Sequence, residues 1–217
     1  MSSKLLFALT SILALAAAAP HAPARECTVK PTSTSTSKEP TAATATPGTK
    51  AHPQHFNIYQ VDQPNHGTDN VPHLDLHTNI TRQVVVFDGI PATAKSCSLN
   101  WRQGPIATRV FRVQGSGLVS SRQLKSEGFP VWSPGSGVLI NPTTIKPFQG
   151  SDDDFSTGLD FTLWDAPEYP DAQPHGGPGV KCEERIVVEL AVNLNNGQDG
   201  RVFMQDDAEN GLYISYS

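Results

Sequence analysis

The stretch Arg185-Ile-Val-Val-Glu-Leu-Ala-Val192 decides the fold, together with the shorter run Gln83-Val-Val-Val-Phe87. Both are rich in β-branched residues and have the length of single β-strands. Working outward from them, further short runs of similar character lie between Pro and Gly residues. These additional predicted strands are Cys97–Trp101, Arg109–Val113, Phe161–Trp164, Arg201–Met204 and Leu212–Tyr216. The pattern predicts an all-β fold, an antiparallel β-sandwich of jelly-roll or Ig-like type, with a barrel as the alternative.

Two turn signals, Asn195-Asn-Gly197 and Asn210-Gly211, separate the last three predicted strands. Asn-Gly favours the tight turns of β-hairpins because both residues adopt positive φ readily. The sequence therefore predicts that the last three strands form an antiparallel meander.

The first 55 residues differ in kind from the rest. Residues 1–19 combine Lys4 with an apolar run that ends in small residues, which is typical of an export signal and too short for a transmembrane helix. Residues 20–55 are rich in Ser, Thr, Pro and Ala, which predicts a disordered stalk with O-linked sugars, or a bare linker. We expect one β-sandwich domain over residues 56–217, and no membrane span in it.

Composition narrows the class of protein further. The chain has 217 residues, a net charge of −5 and 18 prolines, and only 17% of its residues are charged. Long helical bundles and coiled coils need more charged residues and fewer prolines. An acidic chain is also a poor match to nucleic acid, so we expect no nucleic-acid partner.

Three cysteines fit an exported protein with a disulfide bond. Cys97 and Cys182 lie at the edges of predicted strands, and we favour a bond between them. Cys27 lies in the stalk, where it is unpaired, joins two chains or replaces one partner of that bond. Asn79-Ile-Thr81 is an N-glycosylation sequon and indicates that Asn79 is exposed.

Several short segments resemble the C-terminal domain of the fungal But-two proteins, also called ubiquitin-three-binding proteins. They are Val84-Val-Val-Phe-Asp-Gly-Ile-Pro91, Ser96-Cys-Ser-Leu99, Val113-Gln-Gly-Ser-Gly117, Val187-Val-Glu-Leu190 after Cys182, and Gln205-Asp-Asp-Ala-Glu-Asn-Gly-Leu-Tyr213. The resemblance spans roughly residues 83–217. It implies a secreted β-rich domain of the fungal cell wall or extracellular space, with no established catalytic residues.

His73-Leu-Asp-Leu-His77 is the strongest metal-binding candidate. On a strand, His73, Asp75 and His77 project from one face, and imidazole and carboxylate are ligands of zinc and copper. The alternative interpretation is an extended segment with two solvated histidines, and we expect no cofactor.

Two aromatic residues are candidates for contact with a ligand. Trp132 and Tyr169 lie among Pro and Gly residues, which favours exposed loops where their rings can stack on sugars. Trp101 and Trp164 lie on predicted strands and are expected in the core.

These observations predict a secreted cell-wall or extracellular protein that is structural or binds a ligand, and is not an enzyme. Its expected partner is a wall polysaccharide or an extracellular protein. The alternatives are a metal-dependent secreted enzyme that uses His73, Asp75 and His77, and a secreted effector that binds a host protein.

Overall fold

The computed structural model describes residues 49–66, 69–131, 135–151, 155–194 and 197–217. Within these ranges the chain forms fourteen β-strands, one short helix and one 3-10 turn. The strands are β1 Thr49–Ala51, β2 Pro53–Gln60, β3 Asp69–Asn70, β4 His73–His77, β5 Thr81–Asp88, β6 Cys97–Gln103, β7 Phe111–Gly115, β8 Leu118–Leu124, β9 Ser156–Asp160, β10 Gln173–His175, β11 Gly179–Val180, β12 Arg185–Val192, β13 Gly200–Gln205 and β14 Gly211–Tyr216. The helix α1 is Pro142–Ile145, and the 3-10 turn Lys146–Phe148 follows it directly.

The strands form two sheets, and every strand pair observed is antiparallel. In the small sheet the order is β1-β14-β6-β10, and β11 also pairs with β6. In the large sheet the order is β7-β13-β4-β5-β12-β8-β9, and β2 pairs with both β5 and β3. The predicted all-β, antiparallel sandwich-like fold is confirmed.

The main core consists of apolar side chains contributed by both sheets. From the small sheet come Leu99, Trp101 and Ile214, and from the large sheet Phe87 and Leu190, all of them fully buried. Burial of whole aliphatic and aromatic side chains stabilises a fold by about 1.5–3 kcal/mol each. The contact between the inner faces of the two sheets is therefore what holds the sandwich together.

A second, smaller core covers the opposite face of the large sheet. It contains Val84 and Val86 of β5 and Val187 of β12, which pack against Ile145 of α1 and Phe129. Alternate residues of β5 thus enter different cores, because Val85 and Phe87 belong to the main one. Burial on both faces explains why these two strands are continuously apolar in sequence.

Three sequence-based predictions need correction. Phe161–Trp164 is not a strand: Phe161 is buried and the next residues form turns that leave Leu163 exposed with a φ of 66°. The last three strands do not form a meander, because β12 and β13 lie apart in the large sheet and β14 belongs to the small one. Ordered β structure also starts before residue 56, at Thr49 in β1.

The predicted disulfide bond between Cys97 and Cys182 is confirmed, with the two Cα atoms 5.4 Å apart. Cys97 opens β6 in the small sheet, and Cys182 lies three residues before β12 of the large sheet. Cys182 also lies two residues after β11, whose Val180 pairs with Cys97 itself, so the bond ties β6 to the connector that runs from the small sheet to the large one. In the part of the chain that is described, no helix has the length and apolar character needed to cross a membrane.

Asp206 lies in the segment that carries the chain from β13 to β14, and its carboxyl group is largely buried. Its Oδ1 atom has no hydrogen-bond partner among the described residues. Burial raises the pKa of Asp206 from 3.8 to about 7, although a backbone hydrogen bond from Leu212 and the charge of Arg102 lower it in part. The folded state therefore holds this proton at a pH where the unfolded chain has released it.

This difference makes stability depend on pH in a defined direction. Because the folded-state pKa is the higher one, the protein loses stability as pH rises from about 4 to about 7. We expect Asp206→Asn to remove this component, so that the variant is more stable than the wild type at pH 8 and similar to it only near pH 4. Thermal unfolding across this range measures the effect, and parallel curves for the two proteins would contradict it.

Candidate binding face

Strand β4 places the three predicted metal ligands on one face. His73, Asp75 and His77 are partly exposed, whereas Leu74 and Leu76 between them are buried in the main core. This alternation follows from the two-residue period of a strand. The prediction that the three side chains share a face agrees with the structure.

Two further strands extend this face. In β13, Arg201, Phe203 and Gln205 point outward, because Val202 and Met204 between them are buried. In β7, Arg112 and Gln114 are exposed on the same side. We call this surface of β7, β13 and β4 the outer face.

The strand register places Phe203 at the centre of the outer face. Asp75 lies opposite Phe203 on one side and Arg112 on the other. Two residues along β13, Arg201 lies between His77 and Gln114. Facing residues of neighbouring antiparallel strands have Cβ atoms about 4.5–5.5 Å apart, so the half-buried Phe203 ring is surrounded by polar side chains.

The side chains of β13 lean toward β4. Arg201 donates from Nε and Nη2 to the two carboxylate oxygens of Asp75, at 3.1 and 3.0 Å. The ring of Phe203 contacts the imidazole of His73, with 5.1 Å between the ring centres. The hydrogen bonds and charge of Asp75 raise the pKa of Arg201, so this guanidinium stays charged and fixed in place.

This lean leaves a shallow depression on the β7 side of β13, with a volume of about 190 Å³. Arg112, Gln114, Arg201 and Phe203 line it. Among the described residues, neither Arg112 nor Gln114 has a hydrogen-bond or ion-pair partner for its side chain. The depression therefore offers an aromatic ring beside unused hydrogen-bond donors.

A second depression of about 230 Å³ adjoins the first near Gly200. His77, Gln114, Asp199 and Arg201 are among its lining residues. Its walls share Gln114 and Arg201 with the first depression, so the two form one continuous polar surface along β13.

The geometry of β4 does not bring the predicted metal ligands together. A strand advances about 3.3 Å per residue, so the Cα atoms of His73 and His77 are separated by about 13 Å, too far for one ion. Asp75 between them binds Arg201 instead. In the described ranges, no group of three His, Cys, Asp or Glu residues is arranged to hold a metal.

The predicted aromatic ligand contacts lie elsewhere. Tyr169 is half-buried, and its ring packs on Trp164 with 4.5 Å between centres. Trp164 in turn contacts Trp101, which is fully buried as expected. Tyr169 therefore borders an aromatic cluster that reaches into the core, while Trp132 lies outside the described residues.

His175 completes that cluster as a structural residue. Its ring stacks on Trp101 at 3.7 Å between centres, and its Nε2 atom is buried without a partner in the described part of the chain. Desolvation by burial lowers the pKa of His175 to about 4, so the imidazole is neutral near pH 7. A neutral, stacked ring of this kind contributes to packing.

Asn79, the sequon asparagine, occupies the turn between β4 and β5. It is exposed and has a φ of 57°, in the left-handed region that Asn tolerates better than most residues. The hydroxyl of Thr81, the third sequon residue, donates to the backbone oxygen of Asp75 at 3.0 Å. The predicted exposure of Asn79 is thus present in the structure.

Comparison with protein families and with curated proteins gave no match. Assignment to the But-two family stays a prediction.

The sequence indicated a strand in each of the three segments of the outer face but assigned candidate ligand-binding residues only to His73–His77. The segment Arg201–Met204 was predicted as a strand without any role for Arg201 or Phe203, and Arg112 was not singled out. The available signal was the alternation of apolar residues with Arg and Gln in both strands. The register that places Phe203 between Arg112 and Asp75 is not encoded in that alternation.

Proposed function

We propose that this protein is a non-catalytic extracellular protein of the fungal cell wall, and that it binds wall polysaccharide through the outer face. The observation that carries this proposal is the position of Phe203, a partly exposed ring with polar side chains on every side. The flat face of an aromatic ring packs against the C–H groups of a sugar, and surrounding donors and acceptors bind its hydroxyl groups. Few other ligand classes need both features on an open surface.

The chemistry of the outer face favours binding over hydrolysis. Glycoside hydrolysis commonly uses two carboxyl groups separated by about 5–10 Å across a cleft. Asp75, next to Phe203, is bound at both oxygens by Arg201 and serves to fix that guanidinium. The depressions beside it are open and shallow, which suits a chain of sugars lying across the sheet.

Other features support an extracellular location. Disulfide bonds persist in oxidising compartments, and this chain has one between Cys97 and Cys182. The N-terminal sequence has the pattern of an export signal, and Asn79 lies exposed in a sequon. A glycosylated stalk over residues 20–48, which lie outside the described residues, would then hold the domain away from its attachment point. Membership of the But-two family belongs to the same proposal.

We expect Phe203→Ala to abolish most retention of the purified protein on one of the insoluble polysaccharides chitin, β-glucan or cellulose. Loss of the ring removes the stacking surface, and affinity should fall about fivefold to tenfold. Co-sedimentation over a range of polysaccharide concentrations measures the change. Leu139→Ala, which truncates an exposed apolar side chain outside the outer face, is the matched control and should bind like the wild type.

The same assay includes Trp132→Ala and Tyr169→Ala. If these variants lose binding and Phe203→Ala does not, polysaccharide is bound at the aromatic pair predicted from sequence and the outer face is the wrong site. If the wild type is retained neither on these three neutral polysaccharides nor on an acidic one such as insoluble polygalacturonate, the binding function proposed here fails and a host protein becomes the ligand to test next.

A further inference from the structure

Among the described residues, the depression between β7 and β13 is lined by two guanidinium groups and by no carboxylate. The guanidinium of Arg201 uses Nε and Nη2 on Asp75, which lies on the β4 side of β13. Arg112 has no such partner among the described residues. Arg201 is therefore paired directly with a carboxylate and Arg112 is not, although the carboxylate of Asp165 accepts from the backbone N–H of the adjacent Val113 at 2.9 Å.

This local charge is opposite in sign to that of the whole chain, which carries a net −5. The exposed Arg112 side chain flanks Phe203 and has no direct partner among the described residues, so its guanidinium is available to an anion. Its planar fork matches the two oxygens of a carboxylate.

We propose that the depression binds an acidic sugar, a uronic acid residue within a polysaccharide. The ligand carboxylate forms paired hydrogen bonds with Arg112, the sugar ring packs on Phe203, and Gln114 binds a hydroxyl group. This inference rests on the proposed function, because it names the class of sugar that the outer face selects.

Asp199 determines at which end of the outer face the acidic sugar binds. It lines the neighbouring depression near Gly200 and is exposed there. A second ligand carboxylate at that end would meet a like charge, which is unfavourable. The acidic sugar is therefore bound at the Arg112 end of the outer face.

The test is calorimetric titration of the full-length protein with trigalacturonic acid and with its methyl ester, which has the same sugars without the charges. We expect the acid to bind about tenfold or more tightly than the ester, as hydrogen bonds between charged groups suggest. Arg112→Gln should reduce affinity for the acid to that of the ester and leave the ester unchanged. Lys125→Gln removes an exposed positive charge outside the outer face and should change neither affinity.

Each other outcome is decisive. Equal affinity for acid and ester, lost from both in Phe203→Ala, overturns the acidic-sugar inference and keeps the proposed sugar site. Equal weakening by Arg112→Gln and Lys125→Gln shows non-specific attraction and also overturns the inference. No binding of either trisaccharide, with retention on a neutral polysaccharide that depends on Phe203, overturns the inference alone. No binding in any assay overturns both proposals.

Discussion

Replacing Arg122 with methionine is expected to lower the free energy of unfolding by about 3 kcal/mol. Arg122 lies in β8 and donates from Nε to Oε2 of Glu189 in β12, at 2.7 Å. The side chain of Glu189 is completely buried and that of Arg122 is 2% exposed. Methionine preserves much of the volume but removes the charge, so the buried carboxylate loses its closest cation.

The other partners of Glu189 set the size of this loss. Tyr59 donates its hydroxyl to Oε1, Gln149 donates to Oε2 at 2.9 Å, and Arg82 reaches Oε1 at 3.3 Å. Arg82 is about one-third exposed and keeps part of the charge balanced in the variant. We therefore expect the lower end of the range of about 3–5 kcal/mol that is typical of breaking a buried ion pair. Burial and the neighbouring Glu189 also raise the pKa of Tyr59, so its hydroxyl stays protonated as a donor.

Urea unfolding of Arg122→Met, Glu189→Gln and the double variant measures the interaction directly. The double variant should be more stable than the sum of the two single losses predicts, because no unpaired charge remains in it. Additive losses would show that Arg122 contributes through contacts other than that with Glu189, such as its cation–π contact with the ring of Phe155 at 4.3 Å.

Glu189 also shows where sequence-based prediction ends. The strand itself was evident, because Arg185–Val192 is otherwise almost wholly apolar. Nothing near Glu189 in sequence indicates its partners, which come from β2, β5, β8 and the segment after the 3-10 turn. Strand β8 was not predicted from the sequence. Its centre consists of Ser120, Ser121 and Arg122, which are buried although they are polar, so the segment shows no apolar pattern.

Local signals were informative about strands and misleading about their order. Asn210-Gly211 does precede β14, where Gly211 has a φ of 122°. A turn signal does not indicate whether the next strand joins the same sheet. The predicted meander is wrong because the chain passes from the large sheet to the small one between β13 and β14. Phe161 was assigned to a strand because it begins a short, largely apolar run, yet it is followed directly by a turn. Register across the outer face is similarly a property of pairing between distant segments.

Removal of the disulfide bond is the second large expected effect. The double variant Cys97→Ser/Cys182→Ser should lose about 2–5 kcal/mol of stability, because the bond closes a loop over a sequence separation of 85 residues in the unfolded chain. The loss is expected to affect the whole domain, because the bond acts by restricting the unfolded chain. In the folded state it ties β6 to the connector between β11 and β12, beside the strand pair formed by Val180 and Cys97.

Thermal unfolding with and without reductant separates this effect from a local change. Wild-type protein in reductant should unfold at the temperature of the double variant, and reductant should have no further effect on the variant. Cys27→Ser is the matched control: it removes the remaining cysteine and should unfold like the wild type. If Cys27→Ser is destabilised as much as the double variant, the stabilising bond in solution involves Cys27. If the double variant unfolds like the wild type, then packing of the two sheets alone fixes the sandwich, and the bond adds no measurable stability.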